Sequence, residues 1–176
     1  MINSRSKQKG TFSIEFALLG VVFSTMLLFT ADTVVKLSVQ GKLDRLSYSL
    51  VNILKERTQL YGKDDHSLTN AMANELFGFA QGSLSRTLGS YESDRLHGDI
   101  EVLSFDHNNT MTTDSRTLNG GCNGSQSITN FQSLSMTTSW GRRAALYRVT
   151  LCYDSDNWAF DGDDTTLLSS SLMMGR

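Results

Sequence analysis

The residues of this sequence best suited to chemistry lie in the stretch GTFSIEF, residues 10–16. Because Gly10 has no Cβ, the peptide after it can enter a narrow protease cleft in an extended conformation at little steric cost. A cut there would expose the α-amine of Thr11, which has an ordinary pKa of about 7.7 to 8.0 and is mostly cationic at neutral pH. Glu15 follows about 6 Å further along a helix axis. The spacing would let this carboxylate meet the exposed amine of a neighbouring, axially offset subunit if the chain is cut after Gly10.

Glu15 is also the only residue with a formal charge in the apolar stretch 12–31. This stretch is about 20 residues long and would span about 30 Å as a helix, which matches the hydrocarbon core of a bilayer. It is preceded by three basic residues, Arg5, Lys7 and Lys9. By the positive-inside rule this end stays in the cytoplasm, so the sequence predicts that the rest of the chain is exported.

Three interpretations fit such a segment. A cleaved secretory signal peptide needs small residues in an A-x-A-like arrangement at its exit, whereas the best candidate, residues 29–31, begins with the aromatic Phe29. A plain transmembrane anchor fits the length and the flanks, but it leaves Glu15 only the role of a charge that snorkels to the interface. The third interpretation, a peptidase site after Gly10 followed by a retained helix, accounts for the basic leader, the glycine and the pair Glu15 and Phe16.

The pattern G-x-x-x-x-E-F, behind a basic leader and at the start of a long apolar helix, resembles the prepilin-like proteins of the tight-adherence (Tad/Flp) branch of type IV pili. The length of 176 residues and the tail SSSLMMGR resemble their TadE/TadF-like minor pseudopilins. In that family a membrane aspartyl peptidase cuts after the glycine, which corresponds here to the bond between Gly10 and Thr11. The resemblance implies a pilin-like architecture and assembly contacts through Glu15 and Phe16. The implied partners are the prepilin peptidase, other Tad pilins and pseudopilins, the inner-membrane assembly platform and membrane lipid.

The helical pattern continues beyond the apolar stretch. Apolar residues at spacings of three and four form one stripe of an amphipathic helix: Val39, Leu43, Leu46, Leu50, Ile53 or Leu54, and Leu60. We therefore expect one helix over residues 12–61, weakened at Gly41 by about 1 kcal/mol relative to alanine. Gly62 would end it, and Ser67 would cap a second helix that runs to about Leu88. The predicted apolar face of this second helix contains Leu68, Met72, Leu76, Phe79 or Ala80, and Leu84.

The remainder of the sequence predicts strands and turns. The runs 100–105 and 145–153 alternate in the manner of strands, and a less regular alternation covers 131–138. Residues 106–127 are rich in Asn, Thr, Ser and Gly, which predicts a loop. We therefore expect an α+β fold, with a small antiparallel sheet in a head that follows the long helix.

The two cysteines lie in different parts of this head. Cys122 falls in the predicted loop and Cys152 in the predicted strand 145–153. In a domain that leaves the cytosol, two cysteines favour a disulfide over a catalytic thiol. Closing a loop of about 30 residues would stabilise the head by about 3 kcal/mol in the chain-entropy model.

Other polar clusters are less specific for a ligand. The segment 154–164 contains five aspartates that could supply oxygen ligands for Ca²⁺, but Trp158 stands where an EF-hand loop needs its third ligand. We expect a solvated acidic turn there, with Trp158 and Phe160 covering the sheet. The histidines show no metal-ligand spacing and are expected at the surface or at caps: His66, His97 and His107.

Composition and the remaining motifs argue against nucleic-acid binding and catalysis. A net charge of −2 provides no overall basic field for nucleic acid, and Arg142, Arg143 and Arg148 are expected to form a solvated edge. The sequence contains no HExxH or CxxC motif and no phosphate-binding loop or nucleophile–base pairing. We therefore expect no catalysis, cofactor, metal site or nucleic-acid partner.

The residues and the resemblance predict four segments: a leader (1–10), a transmembrane segment (11–31), an amphipathic continuation of the helix (32–61) and an extracytoplasmic head (62–176). The expected function is that of a non-catalytic minor pilin in the bacterial inner membrane, with a single span, a cytoplasmic N-terminus and a periplasmic head. Incorporation into a surface pilus stays open. The alternatives are an unprocessed, membrane-anchored binding or sensor domain and a secreted enzyme cut near Ala31.

Overall fold

A computed structural model describes residues 9–61, 67–106, 108–139, 141–158 and 164–175, with the side chains of these ranges except 9–11 and 57–61. The helices are α1 (Lys9–Tyr61) and α2 (Asn70–Thr87), with short 3-10 helices at Ser93–Arg95 and Ile128–Leu134. The strands are β1 (Leu96–Phe105), β2 (Met111–Leu118), β3 (Leu146–Ser155) and β4 (Thr165–Met174). This arrangement confirms the predicted α+β class, in which a long helix precedes a small antiparallel sheet. We call the elements after α1 the head.

Helix α1 is continuous over 53 residues and is therefore about 80 Å long. The sequence contains no proline, so every residue can supply the backbone N–H that the helix ladder needs. The helix passes through Gly41 without a break, although glycine is expected to weaken it there. It begins at Lys9 and not at the predicted Phe12. The peptide that joins Gly10 to Thr11 consequently lies in its first turn.

Among the described residues, four strands form one antiparallel sheet in the order β2-β1-β3-β4. The C-terminal half of α1 packs on β3 and β4, and α2 packs on β1 and β2. The larger core lies between these helices and the sheet and includes Leu43, Val51, Leu84, Ile100 and Val149. A smaller core lies on the opposite face, where the second 3-10 helix packs Ile128 against Leu103, Phe105 and Leu146. Strand β3 is therefore buried on both faces.

The amphipathic stripe predicted on α1 is confirmed. Four of its members are buried in the larger core: Val39, Leu43, Leu50 and Leu54. Leu46 is partly buried against the same core, whereas Ile53 is 45% exposed and does not belong to the stripe. The side chain of Leu60 lies outside the described ones. The apolar residues spaced by three and four thus fix which side of α1 faces the sheet.

Helix α2 begins after Thr69 and not after the predicted cap Ser67. The Thr69 hydroxyl oxygen accepts a hydrogen bond from a backbone N–H in the first turn at 3.3 Å, as an N-cap residue does. Of the two candidates for one position of the apolar face, Ala80 is buried and Phe79 is 61% exposed; Phe77, which the sequence analysis did not name, is buried as well. A Cβ at Gly98 of β1 would lie 3.3 Å from the Phe77 ring. The glycine therefore allows α2 to approach the sheet closely.

Two predicted strands are confirmed as β1 and β3, but the other two lie where the sequence predicts none. β2 falls within the predicted loop 106–127, and β4 forms most of the small-residue tail. β2 is an edge strand with mostly exposed polar side chains, so its composition resembles that of a loop. The strand predicted over 131–138 is wrong, because this segment begins in the second 3-10 helix and then adds an isolated bridge between Thr137 and Arg143.

Candidate functional site

The N-terminal half of α1 carries an apolar surface that the head leaves uncovered. Every residue from Phe12 to Ala31 is exposed, and an 18-residue window of the helix has a mean hydropathy of 2.0 with none of it buried. The exposed large apolar side chains include Phe12, Ile14, Phe16, Leu18, Leu19, Val21, Phe23, Met26, Leu27 and Phe29. By length and composition, this is the one helix among the described residues that could cross a membrane. So large an apolar surface marks a region that contacts lipid or another protein.

Three hydroxyl side chains in this apolar half are satisfied by the helix itself. Ser24, Thr25 and Thr30 each donate a hydrogen bond to a backbone carbonyl within the preceding turn, at 2.8, 2.8 and 2.9 Å. In the hydrocarbon core of a bilayer no water is present to bond such groups, so a polar side chain needs an internal partner. These three hydroxyls are therefore compatible with a lipid environment.

The predicted processing and pairing residues lie at the far end of the apolar half. Gly10 and Thr11 have helical backbone, and their side-chain surroundings lie outside the described residues. Glu15 is exposed. Phe16 is 70% exposed, and its ring stacks on that of Phe12 with the ring centroids 6.4 Å apart. Glu15 and Phe16 thus lie on a surface that another molecule can reach, while cleavage after Gly10 and pairing of Glu15 stay predictions.

The junction between α1 and the head begins with polar contacts directly after the apolar half. Asp32 is 7% exposed, and its Oδ2 accepts a hydrogen bond from Lys36 Nζ at 2.8 Å. Its Oδ1 accepts one from the backbone N–H of Trp158 at 3.1 Å. Lys36 Nζ also donates to Asn157 Oδ1, which accepts a further hydrogen bond from the Thr165 hydroxyl at 2.8 Å. These bonds hold the residues directly after β3 against α1.

The ion pair at this junction favours the charged form of Asp32. The hydrogen bond from Lys36, and after it the one from Trp158, lower the pKa of Asp32 below its ordinary value, whereas desolvation acts in the opposite direction. The carboxylate is therefore charged at neutral pH. Sequence reasoning missed this junction, although Asp32 is the first charged residue after the stretch 12–31. Lys36 lies one turn later, at the spacing of a helical ion pair.

Further along the helix, β4 presents small hydroxyl side chains to α1. The Ser47 hydroxyl oxygen lies 3.0 Å from that of Ser169 and 2.8 Å from that of Ser171. Gln40 Nε2 donates to the backbone carbonyl of Leu168 at 2.9 Å. Because serine is short and can bond its neighbour, the helix approaches the strand without leaving these buried hydroxyls unpaired. The small side chains of β4 therefore allow α1 to pack closely on the sheet.

The predicted disulfide between Cys122 and Cys152 is confirmed, with the Cα atoms 5.8 Å apart. It ties the loop after β2 to β3, and the Cys122 N–H donates to Asp99 Oδ2 at 2.9 Å. Gly121 has a φ of +73°, and a Cβ there would lie 2.7 Å from the Thr117 side chain. The loop that carries Cys122 thus requires glycine at this position.

The arginines do not form the solvated edge that the sequence predicts. Arg148 is 4% exposed, and its Nε donates to Glu101 Oε2 at 2.7 Å. Its guanidinium lies over the Phe131 ring, 5.6 Å from the centroid. Arg143 packs over an aromatic ring of the smaller core, 4.5 Å from its centroid. Arg142 is exposed. The prediction is therefore wrong for Arg148, which cross-links β1 and β3 inside the head.

The acidic segment 154–164 forms a surface network in its described part. Asp154 Oδ2 lies 3.3 Å from His97 Nε2, and Asp156 Oδ1 accepts a hydrogen bond from Arg95 at 2.5 Å. The bond to Asp156 raises the pKa of Arg95 above its ordinary value. Among the described residues, no group of three or more His, Cys, Asp or Glu side chains could hold a metal ion.

Trp158 does not cover the sheet as predicted. Its side chain is 62% exposed, although its backbone N–H is bonded to Asp32 of α1. Phe160, the other aromatic residue of this segment, lies outside the described residues. The same holds for His66 and His107. The prediction for Trp158 is wrong, because the contact of this residue with α1 is made by its backbone and leaves the indole exposed.

Comparison with known proteins assigns the chain to a family. The model of the family TadF, tight adherence pilin protein F, matches residues 3–176. Comparisons with curated proteins and with solved structures gave no match. The matched residues include the GTFSIEF stretch, the apolar half of α1 and the described head. Because the match covers nearly the whole sequence, the chain belongs to the TadF family of tight adherence pilin proteins.

Proposed function

We propose that this chain is a non-catalytic minor pilin or pseudopilin that is processed by the prepilin peptidase after Gly10 and acts in Tad pilus assembly and adherence. The observation that carries the proposal is the apolar half of α1, in which no residue from 12 to 31 is buried by the head. Membership of the TadF family supports the same role. A membrane-anchored subunit of this shape can join other pilins and pseudopilins through the uncovered helix.

The orientation follows from charge and from the disulfide. The basic residues before Gly10 favour a cytoplasmic N-terminus, which puts the head on the periplasmic side of the bacterial inner membrane. The bridge between Cys122 and Cys152 supports this side, because disulfides persist in the oxidising periplasm and are rare in the cytosol. The protein would then be a single-pass membrane protein until the assembly platform draws it into a pilus.

The processing step requires a local change in α1. The peptide between Gly10 and Thr11 lies in the first helical turn, where backbone N–H groups lack partners further back in the helix. Unwinding this turn into an extended substrate therefore breaks few hydrogen bonds. Glycine makes the extended form accessible at low steric cost.

Glu15 would act after cleavage. In two subunits that lie side by side with an axial offset, the Glu15 carboxylate of one can meet the Thr11 amine of the other. Because lipid and neighbouring helices exclude water there, removing one partner would cost about 3 to 5 kcal/mol, as in other buried ion pairs. The exposed Phe16 ring would add apolar contact beside the pair.

Co-expression with the prepilin peptidase of the same system tests the proposal. Wild type should lose residues 1–10, whereas Gly10→Leu should stay uncut because a bulky side chain blocks the peptidase cleft. Gly20→Leu is the matched control, since a side chain at Gly20 meets nothing within 4 Å, and it should be cut like wild type. Intact mass distinguishes the forms.

Two results would contradict the proposal. A wild-type chain that keeps its N-terminus beside an active peptidase would favour an unprocessed, membrane-anchored binding or sensor domain. A cut near Ala31 would favour a protein that signal peptidase releases, and it would remove the apolar half of α1 altogether.

A further inference from the structure

The side chain of Trp158 is a large apolar group that the head leaves outside its cores. It is 62% exposed, although indole rings are among the side chains that gain most from burial. Its backbone is nevertheless fixed, because the Trp158 N–H donates to Asp32 Oδ1 at 3.1 Å. The backbone that carries the exposed indole is therefore held at a defined level along α1.

The contact between Trp158 and Asp32 lies at the C-terminal end of the apolar half of α1. Asp32 directly follows the stretch 12–31, which spans about 30 Å and matches a hydrocarbon core. The polar headgroup layer beyond that core is about 5 to 8 Å thick on each side. A residue whose backbone touches Asp32 consequently lies in or next to this layer when the apolar half of α1 crosses the bilayer.

We propose that Trp158 is a second membrane contact, which inserts its indole into the headgroup layer of the leaflet nearest the head. This inference rests on the proposed function, since it requires the apolar half of α1 to span the membrane. Tryptophan suits this layer because its ring is amphipathic and is enriched at membrane–water interfaces. The partner is the lipid bilayer, not a protein surface.

The junction contacts explain how such a contact would orient the head. Lys36 bonds both Asp32 and Asn157, the residue before Trp158, so the backbone that follows β3 is held against α1 at two neighbouring residues. With the helix as the first attachment and Trp158 as the second, rotation of the head about the helix axis is restricted before the subunit leaves the membrane.

Depth-dependent fluorescence quenching tests the proposal on the full chain in vesicles of phosphatidylethanolamine and phosphatidylglycerol. The sequence contains two tryptophans, so Trp140→Phe leaves Trp158 as the single indole. We expect lipids brominated near the headgroup to quench Trp158 more strongly than lipids brominated in mid-chain. A chain with Trp140→Phe, Trp158→Phe and Phe23→Trp reports the middle of the span, and mid-chain bromines should quench it most.

The two chains separate this inference from the proposed function. Deep quenching at position 23 together with no quenching of Trp158, or with quenching of Trp158 mainly from mid-chain, would overturn the headgroup contact and leave the span intact. No quenching at either position would overturn both.

A variant of the junction tests how Trp158 is held in place. Asp32→Ala removes the acceptor of the Trp158 N–H and should at least halve the shallow quenching of Trp158, while the same substitution at the exposed Asp44 should not change it. Unchanged quenching in Asp32→Ala would refute the positioning role of Asp32.

Discussion

Replacing Glu101 with glutamine should destabilise the head by about 3 to 5 kcal/mol, because it leaves the charge of Arg148 buried without its counter-ion. The two residues are register partners on β1 and β3, and their side chains are 12% and 4% exposed. Water therefore cannot solvate the guanidinium once the carboxylate is gone. The predicted loss is large beside a total stability of about 5 to 15 kcal/mol for a domain.

The remaining neighbours of Arg148 cannot replace the carboxylate. The Phe131 ring lies 5.6 Å from the guanidinium carbon, and a cation–π contact contributes only about 0.5 to 2 kcal/mol. Glu101 Oε1 also accepts the backbone N–H of Ile128 at 3.2 Å. Glutamine has one carbonyl oxygen, whereas the carboxylate accepts from both the Arg148 guanidinium and the Ile128 N–H, so the variant loses hydrogen bonding as well as the charge.

Urea unfolding of the full chain in detergent micelles, followed by near-ultraviolet circular dichroism, measures this loss. Glu92→Gln is the matched control, because it makes the same substitution in the exposed pair with Arg95, where Glu92 is 58% exposed. The control should lose less than about 1 kcal/mol. Equal losses in the two variants would refute the claim that the pair in the head is buried and charged.

A double variant checks the cause of the loss. Glu101→Leu combined with Arg148→Met removes both charges and keeps a similar apolar volume, so it should recover most of the stability that Glu101→Gln loses. A double variant as unstable as the single one would mean that shape, and not the unpaired charge, explains the effect.

Three further predictions concern the disulfide, the junction and the helix end. Cys152→Ser should lower the free energy of unfolding by about 3 kcal/mol in urea titrations, because the bridge to Cys122 closes a loop of about 30 residues. Lys36 lowers the pKa of Asp32. The stability that this carboxylate contributes is therefore complete above its unfolded pKa of about 3.9 and is lost as the pH falls through the lower folded pKa. Urea titrations of wild type and Asp32→Asn across this pH range measure the contribution. Glu15→Gln should leave cleavage intact and reduce copurification of the processed chain with partner pilins at equal membrane levels.

Each of these predictions has a contradicting result. Free thiols in the unfolded, unreduced protein from the cell envelope would rule out the bridge and weaken the case for export. A stability difference between wild type and Asp32→Asn that does not change with pH would show that the charge of Asp32 does not hold the junction. Undiminished copurification of Glu15→Gln would reduce Glu15 to an interfacial charge.

The helices could be predicted from the sequence because their pattern is local. The spacing of Leu43, Leu50 and Leu54 along α1 is enough to define the buried side, whatever lies opposite it. Strand β3 was visible for a similar reason, since it is buried on both faces and carries a run of apolar and β-branched residues. The GTFSIEF stretch could also be found, because its chemistry depends on residues that are close in the sequence.

Features that depend on distant residues could not be predicted. Arg148 is buried because Glu101, 47 residues away, stands opposite it in the sheet, and three nearby arginines in sequence resemble a solvated edge. Strand β4 is rich in serine because its side chains meet Ser47 of α1, more than 120 residues away. The bond between Asp32 and Trp158 joins residues 126 positions apart. No local pattern predicts any of these contacts.

The N-terminal sequence of the mature chain, isolated from the envelope of a cell that carries its own Tad system, tests the central claim most directly. The proposed function predicts that Thr11 is the first residue and that Glu15 is the fifth. A chain that still begins with Met1 would contradict processing by the prepilin peptidase, and one that begins after Ala31 would contradict retention of the apolar half of α1.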